Sequence, residues 1–337
     1  MLRNQTGITS WVLTDGKAGD ELQALSVAEA LGLSPEIRRV RPRPPFSWLM
    51  PWGPIDPRER PDANDSPLAP PYPDIVIGSG RRAVAYLRFV KRISGWRSYT
   101  VFLKDPRTGP EVADFIWSPS YDRVRGPNVL TTLTPPHRVS ARRIAAARAA
   151  PDPRLAGLPS PRVAVIIGGN SRHHHFTEAD TARFVEHLTA VAETGAGLMM
   201  TASRRTPPAL KEALQQLATR HQGFFWDGSG ENPYVALLSL ADFIVATADS
   251  GNMIGEAAAT GRPVLVFEPS RGHPKLRVLL KELEAQGIVH PLTGRLVGQP
   301  YEPLNSTPQI ADAIAQGLAR HRRALGLPDI AFSLETS

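Results

Sequence analysis

Residues 242–269 read D-F-I-V-A-T-A-D-S-G-N-M-I-G-E-A-A-A-T-G-R-P-V-L-V-F-E-P. Phe243 to Ala246 and Val264 to Phe267 are short β-branched or aromatic runs bounded by turn residues, as in strands buried on both faces of a parallel sheet. The residues between them predict a helix. Asp249 or Ser250 can cap its start, Met253, Ile254, Ala257 and Ala258 form an apolar stripe at helical spacing, and Gly261 followed by Pro263 stops it. The stretch is a βαβ unit. Its strand-to-helix loop, Thr247 to Asn252, presents hydroxyls, an amide and backbone N–H groups where the helix dipole favours an anion or phosphate.

The same alternation runs outward in both directions. Upstream, Ile8 to Leu13 reads as a strand, Thr14 to Asp20 as a polar loop, and Leu22, Leu25, Val27, Ala28 and Leu31 as one face of a helix. Further strands are expected at Glu36 to Val40, Asp74 to Ile77, Tyr99 to Leu103, Phe115 to Trp117 and Val129 to Leu133. After a proline-rich break the pattern restarts at Val163 to Ile167, Gly197 to Met200 and Gly223 to Trp226, with helices from Glu178, Pro207 and Pro233. This predicts an α/β fold of two Rossmann-like doubly wound domains facing a cleft, residues 1–150 and 162–337, joined by a linker over 151–161. The last helix, from Gln309 to about Leu325, is free to pack back across the cleft. The proline-dense segment from Arg41 to Pro73 reads as a surface excursion, partly extended or mobile. Its Phe46, Trp48 and Trp52 are either acceptor or membrane contacts or aromatics that pin the loop to the body.

A chain of 337 residues with 42% hydrophobic content can bury two cores. The absence of cysteine excludes disulfides, thiolate metal sites and a cysteine nucleophile. A net charge of +7 suits nucleic acid, an anionic membrane surface or anionic small substrates such as nucleotide sugars. The arginines fall in short groups without interleaved aromatics, which disfavours nucleic acid. No signal-peptide pattern or membrane-length apolar run is present, so a soluble, cytoplasmic protein is expected, with a peripheral contact on an anionic membrane left open.

Three loops of the second half follow strands and would gather at one sheet edge: Gly168-Gly169-Asn170-Ser171, Thr201 to Arg205, and Thr247 to Asn252. Glycines allow a diphosphate to approach the backbone, Ser203 and Ser250 can donate to its oxygens, and Arg204 or Arg205 can neutralise it. Glu256, within the following helix, could accept both hydroxyls of a ribose or serve only as a partner of the helix dipole. In the first half, Gly78-Ser79-Gly80-Arg81-Arg82-Ala83 matches the weak dinucleotide fingerprint, but the next strand ends at Leu103-Lys104-Asp105 rather than on the expected acid. An NAD(P) enzyme is therefore a minor alternative. The P-loop pattern is absent, and His173-His174-His175 point in different directions without a spaced carboxylate, so no metal site is expected.

The segment from Ala246 to Pro269 resembles the donor-nucleotide half of two-Rossmann-domain (GT-B) glycosyltransferases, including the N-acetylglucosaminyltransferase of peptidoglycan synthesis. The resemblance implies that Glu256 holds the nucleotide ribose. More closely, W-V-L-T-D-G-K-A-G-D-E-L-Q-A-L-S-V-A-E-A-L at residues 11–31, with I-G-S-G-R-R at 77–82, resembles the plant mitochondrial-fission "elongated mitochondria" family and its bacterial relatives over nearly the whole chain. Relatives commonly have a histidine where this chain has Asp20. The resemblance implies a metal-independent glycosyl transfer from a UDP- or GDP-linked sugar, with no other cofactor, to a glycan or lipid-linked acceptor; a scaffold with a relict cleft, as the fission role implies, is the alternative. The donor set is then Gly168, Gly169, Asn170, Ser203, Arg204, Arg205, Thr247, Asp249, Ser250, Asn252, Met253 and Glu256. Asp15 or Asp20 is the candidate base, with His137 a competitor, and Lys17, Gln23, Gly80 and Arg81 would meet phosphate or acceptor. Asp15-Gly16 also reads as a turn, and Asp20 as a helix N-cap.

Overall fold

The structure, a computed structural model, describes residues 7–328 and Phe332. Its strands are β1 (Ser10–Thr14), β2 (Glu36–Arg39), β3 (Ile75–Ser79), β4 (Tyr99–Leu103), β5 (Phe115–Pro119), β6 (Val129–Thr132), β7 (Arg162–Ile167), β8 (His174–His175), β9 (Gly197–Ala202), β10 (Phe224–Trp226), β11 (Phe243–Thr247), β12 (Val264–Phe267), β13 (Ser270–Arg271) and β14 (Val289–Pro291). The helices are α1 (Ala18–Ala30), α2 (Phe46–Leu49), α3 (Ala83–Ile93), α4 (Ala141–Ala149), α5 (Pro153–Ala156), α6 (Glu178–Glu193), α7 (Pro208–Arg220), α8 (Tyr234–Leu240), α9 (Gly251–Ala258), α10 (Pro274–Ala285) and α11 (Thr307–Ala324). They form two units, each a doubly wound α/β body around its own six-stranded parallel sheet.

The first unit comprises the chain up to Arg138 and again from Ser306, with strand order β2-β1-β3-β4-β5-β6. Both sheet faces are buried, and the strands sort their side chains by alternation. Val12, Ile77 and Val101 pack with Val27 of α1, Leu31 at its C-cap, and Ile310, Ile314 and Leu318 of α11. Trp11, Leu13, Val76 and Phe102 pack on the opposite face with Val84, Leu87 and Val90 of α3. The second unit, Val139–Asn305, has the order β10-β9-β7-β11-β12-β14. Counted along the unit's own main sheet this is 3-2-1-4-5-6, the dinucleotide-fold order, with its switch point between β7 and β11.

The domain limits differ from those predicted. Residues 139–161 belong to the second unit: α4 and α5 pack on α8, Arg148 Nε donates to the Ser239 carbonyl at 2.8 Å, and Leu155 is fully buried. The prolines there mark helix starts and turns, since Pro153 opens α5 behind an Asp152 cap. The last helix belongs to the first unit. Its apolar stripe completes that core, and it lies so close to β4 that a Cβ at Gly317 would sit 2.0 Å from the Tyr99 hydroxyl. Where the chain leaves and returns, the Thr134 and Ser306 hydroxyls meet at 2.7 Å and His137 N–H donates to Thr307 Oγ1 at 3.0 Å.

The proline-rich excursion is packed onto the body of the first unit. Met50, Ile55 and Leu68 enter the core beneath α3, and the buried Asp56 and half-buried Glu59 collect the polar groups above them. Glu59 accepts from Arg41 N–H at 2.8 Å and from the Tyr86 hydroxyl, while Asp56 accepts from Arg43 N–H at 2.9 Å and from the Arg58 guanidinium at 2.8 and 2.9 Å. The Arg58 hydrogen bonds hold the Asp56 carboxyl down at about 2. Because the folded value lies below the unfolded one, the stabilisation is present above about pH 4 and is lost as the pH falls through about 2. Asp56→Asn is expected to cost roughly 2–3 kcal/mol at neutral pH and to flatten the acid limb of stability. Denaturant unfolding between pH 2 and 6 measures both, and a wild-type acid limb in the variant would refute the assignment.

Candidate functional site

The switch point of the second unit gathers the three loops singled out in the sequence. Asp249, immediately beyond β11, organises them: its side chain has no exposed surface, Oδ2 accepts from Gly169 N–H at 3.0 Å and Arg205 Nη2 at 2.8 Å, and Oδ1 accepts from Thr247 Oγ1 at 2.7 Å. Thr247 Oγ1 in turn accepts from Gly168 N–H at 2.9 Å. Ser203 Oγ donates to the Gly168 carbonyl at 2.5 Å, and Thr206 joins it there. Both glycines are required by close approach. A Cβ at Gly168 would lie 2.1 Å from Asp249 Oδ2, and one at Gly169 would lie 2.1 Å from the Arg205 carbonyl.

Several residues expected to face a ligand are thus spent on holding the loops together. Asp249, Thr247 and Ser203 have their polar atoms satisfied inside the edge, and Ser250 Oγ caps α9 by accepting from Met253 N–H at 3.4 Å. What remains outward is different. Arg204 is exposed and has no ion-pair partner among the described residues, Arg205 keeps nearly half its side chain in solvent, Asn170 is exposed while its Oδ1 accepts from Phe176 N–H at 2.9 Å, and α9 begins beside them at Gly251. The edge is therefore cationic and lies at the positive end of the α9 dipole.

Glu256 sits one turn further along α9, 8% exposed. The Tyr234 hydroxyl at the start of α8 donates to its Oε2 at 2.5 Å, and Oε1 has no hydrogen bond among the described residues. Burial pushes the Glu256 carboxyl up to about 7, against the opposing hydrogen bond from Tyr234. Burial and the neighbouring Glu256 push the Tyr234 phenol far above its ordinary range. A carboxylate with one oxygen pinned and the other unbonded fits a neutral diol better than a free charge. Tyr234 carries no signal in the sequence, since its partner lies on another helix.

In the first unit the equivalent switch point lies between β1 and β3, which pair in register Thr14 to Ser79. Asp15 is buried there, and Lys17 Nζ donates to its Oδ2 at 3.2 Å while Oδ1 has no partner. Gly80, at φ +95°, backs onto this carboxylate, where a Cβ would lie 2.5 Å from Oδ1. Ser79 Oγ is likewise buried without a partner. Asp20 lies in the first turn of α1 and pairs with Lys104, which leaves β4 in the left-handed region at φ +85°. It does not cap α1, whose N-cap is Lys17. Lys104 was legible only as the polar end of a strand; its pairing with Asp20 spans 84 positions. Gln23 is buried in α1. Arg81 turns away from this crevice, its Nε donating to the Met50 carbonyl at 2.7 Å, and His137 is buried at the root of α11.

The histidine run is split by secondary structure. His174 and His175 form β8 against β13, and the His173 ring packs edge-on to His273 at 4.3 Å. Among the described residues no group of three histidine or acidic side chains is arranged to hold a metal.

A family model described as Mitochondrial fission ELM1 matches residues 18–318. The chain is 26% identical over 274 residues to the mitochondrial fission protein ELM1 of Arabidopsis thaliana, covering 73% of this chain and 64% of that one. It is 31% identical over 160 residues to an uncharacterized protein of Rickettsia prowazekii, covering 45% of each. The chain thus spans less than two thirds of the length of either relative. Among solved structures it is similar to MurG of Acinetobacter baumannii, at 13% identity and a TM-score of 0.46, over 91% of this chain and 99% of that one.

Proposed function

Because this chain belongs to the mitochondrial fission ELM1 family, whose model spans residues 18–318, we propose that its second unit binds a nucleoside diphosphate sugar and that the protein transfers the sugar to a hydroxyl acceptor. The observation that carries the reading is the convergence of the β7, β9 and β11 loops at the switch point, beside the α9 N-terminus and Glu256. In this reading the diphosphate lies at the N-terminus of α9, where the helix dipole favours it, against the Arg204 and Arg205 guanidiniums, and the ribose diol donates to Glu256 Oε1.

Transfer forms a bond from the acceptor oxygen to the sugar C1 as the C1–O bond to the diphosphate breaks. The acceptor proton passes to a base and the negative charge to the departing diphosphate. Arg204, Arg205 and the helix N-terminus would stabilise that charge as it grows. Among the acids of the first unit Asp15 is the favoured base, because Lys17 meets only its Oδ2 and the buried Oδ1 lacks a partner, while Asp20 is paired with Lys104. A second reading, a family scaffold without catalysis, draws on the same ion pairs: Asp20 with Lys104 and Arg205 with Asp249 show charges matched internally.

Calorimetric titration with UDP, GDP and UMP separates the two. Transfer predicts saturable binding of a nucleoside diphosphate, weakened about tenfold or more by Glu256→Ala, which removes the diol acceptor. No saturable binding, or binding indifferent to that substitution, would favour the scaffold.

A further inference from the structure

The turn from Phe46 to Gly53 carries apolar surface that the fold does not use. Trp48 is 73% exposed, Trp52 61% and Leu49 50%, whereas Met50 between them is fully buried. The turn is firmly anchored. Trp52 and Gly53 N–H both donate to the Leu49 carbonyl, at 3.0 and 2.9 Å, and Met50, Ile55 and Leu68 are embedded in the core below. Two indoles and a leucine held in water on an anchored turn are a contact surface rather than a packing residue.

The surrounding charge says what kind of contact. Arg88 Nη2 donates to the carbonyls of Trp52 and Gly53 at 3.1 and 3.0 Å, and Arg81 Nε to that of Met50 at 2.7 Å, so both guanidiniums are drawn against the turn. Neither has a carboxylate partner among the described residues, and the exposed side chains of Arg41 and Arg43, just ahead of the turn, have none either. The acids Asp56 and Glu59 are engaged by Arg58 and Tyr86, while the exposed Asp62 and Asp65 come only later in the excursion. Guanidiniums without a carboxylate partner beside exposed indoles match a layer of phosphate and carbonyl oxygens over hydrocarbon. Among the described residues no helix is long and apolar enough to cross a membrane, so such a contact would be peripheral.

We infer that this turn docks the protein on an anionic lipid surface, with Trp48, Leu49 and Trp52 entering the headgroup boundary and Arg41, Arg43, Arg81 and Arg88 facing lipid phosphates. The full chain is tested with phosphatidylcholine vesicles with and without about one third phosphatidylglycerol, by flotation and tryptophan emission. Binding to the anionic vesicles with a blue shift is expected, falling about tenfold or more in Trp48→Ser/Trp52→Ser and about fivefold per charge in Arg41→Ala/Arg43→Ala. Leu49→Ser, a milder change, should weaken binding with the melting temperature unchanged. Equal partition into neutral vesicles, undiminished binding by the tryptophan variant, or capture of a polyglutamate peptide in place of vesicles would overturn the inference. Nucleotide titration of the same variants should match wild type, which keeps this result separate from the proposed transfer.

Discussion

Asp249→Ala is expected to lower the stability of the second unit by roughly 3–5 kcal/mol and to abolish the proposed nucleotide binding. The carboxylate is fully buried and is the shared acceptor for Gly169 N–H, Thr247 Oγ1 and Arg205 Nη2, which come from three different strand-end loops. Removing it strands two buried donors, each costing about 1–3 kcal/mol, and opens a gap beside Gly168, whose backbone lies against the carboxylate. Arg205→Ala is the internal comparison. It leaves the other two bonds in place and removes a half-exposed partner, so a loss of about 1 kcal/mol is expected. Denaturant unfolding, with hydrogen exchange read at the Gly168 and Gly169 amides, distinguishes the two. Stability for Asp249→Ala within about 1 kcal/mol of wild type would show that the three loops do not depend on this residue.

The second large effect falls on Glu256. Its folded-state carboxyl sits near 7, above the unfolded value of about 4.3. A raised folded value means that the stabilisation is complete below about pH 4 and is lost as the pH rises through about 7. A shift of this size corresponds to about 3 kcal/mol, so wild-type stability should decline by that order between pH 5 and 8. Glu256→Gln keeps the volume and an acceptor for Tyr234 but cannot ionise. It should flatten the decline and be the more stable protein at pH 8 by about 2–3 kcal/mol, while weakening the proposed binding of a nucleoside diphosphate. Stability gained and affinity lost in one substitution is the pattern of a buried acid kept for a ligand rather than for the fold. Wild-type stability that does not change between pH 5 and 8 would remove the basis of this prediction.

Much of the switch-point edge of the second unit was legible because its signals are local. Gly168-Gly169, Ser203 and Thr247 to Asn252 each follow a short apolar run, and such runs end at one edge when strands are parallel. Their roles were not legible. Asp249 and Ser203 look like ligand contacts in the sequence and prove to be internal bonds, because what a carboxylate or hydroxyl binds depends on which loop lies beside it. The same holds for Arg81, which reads as part of a phosphate fingerprint and instead holds the proline-rich excursion. Lys104 and Tyr234 carried no readable signal, since each matters through a partner from another element.

By itself the sequence determined the alternation of strands and helices, the two cores and the loops that could meet a diphosphate, since apolar period, β-branching, caps and breakers act over a few residues. Only the tertiary structure decided the strand orders, the return of α11 to the first unit, the consumption of Asp249 and the pairing of Tyr234 with Glu256. Those outcomes depend on groups up to 170 or more positions apart, as with Thr134 and Ser306, whose meeting is set by the packing of whole faces.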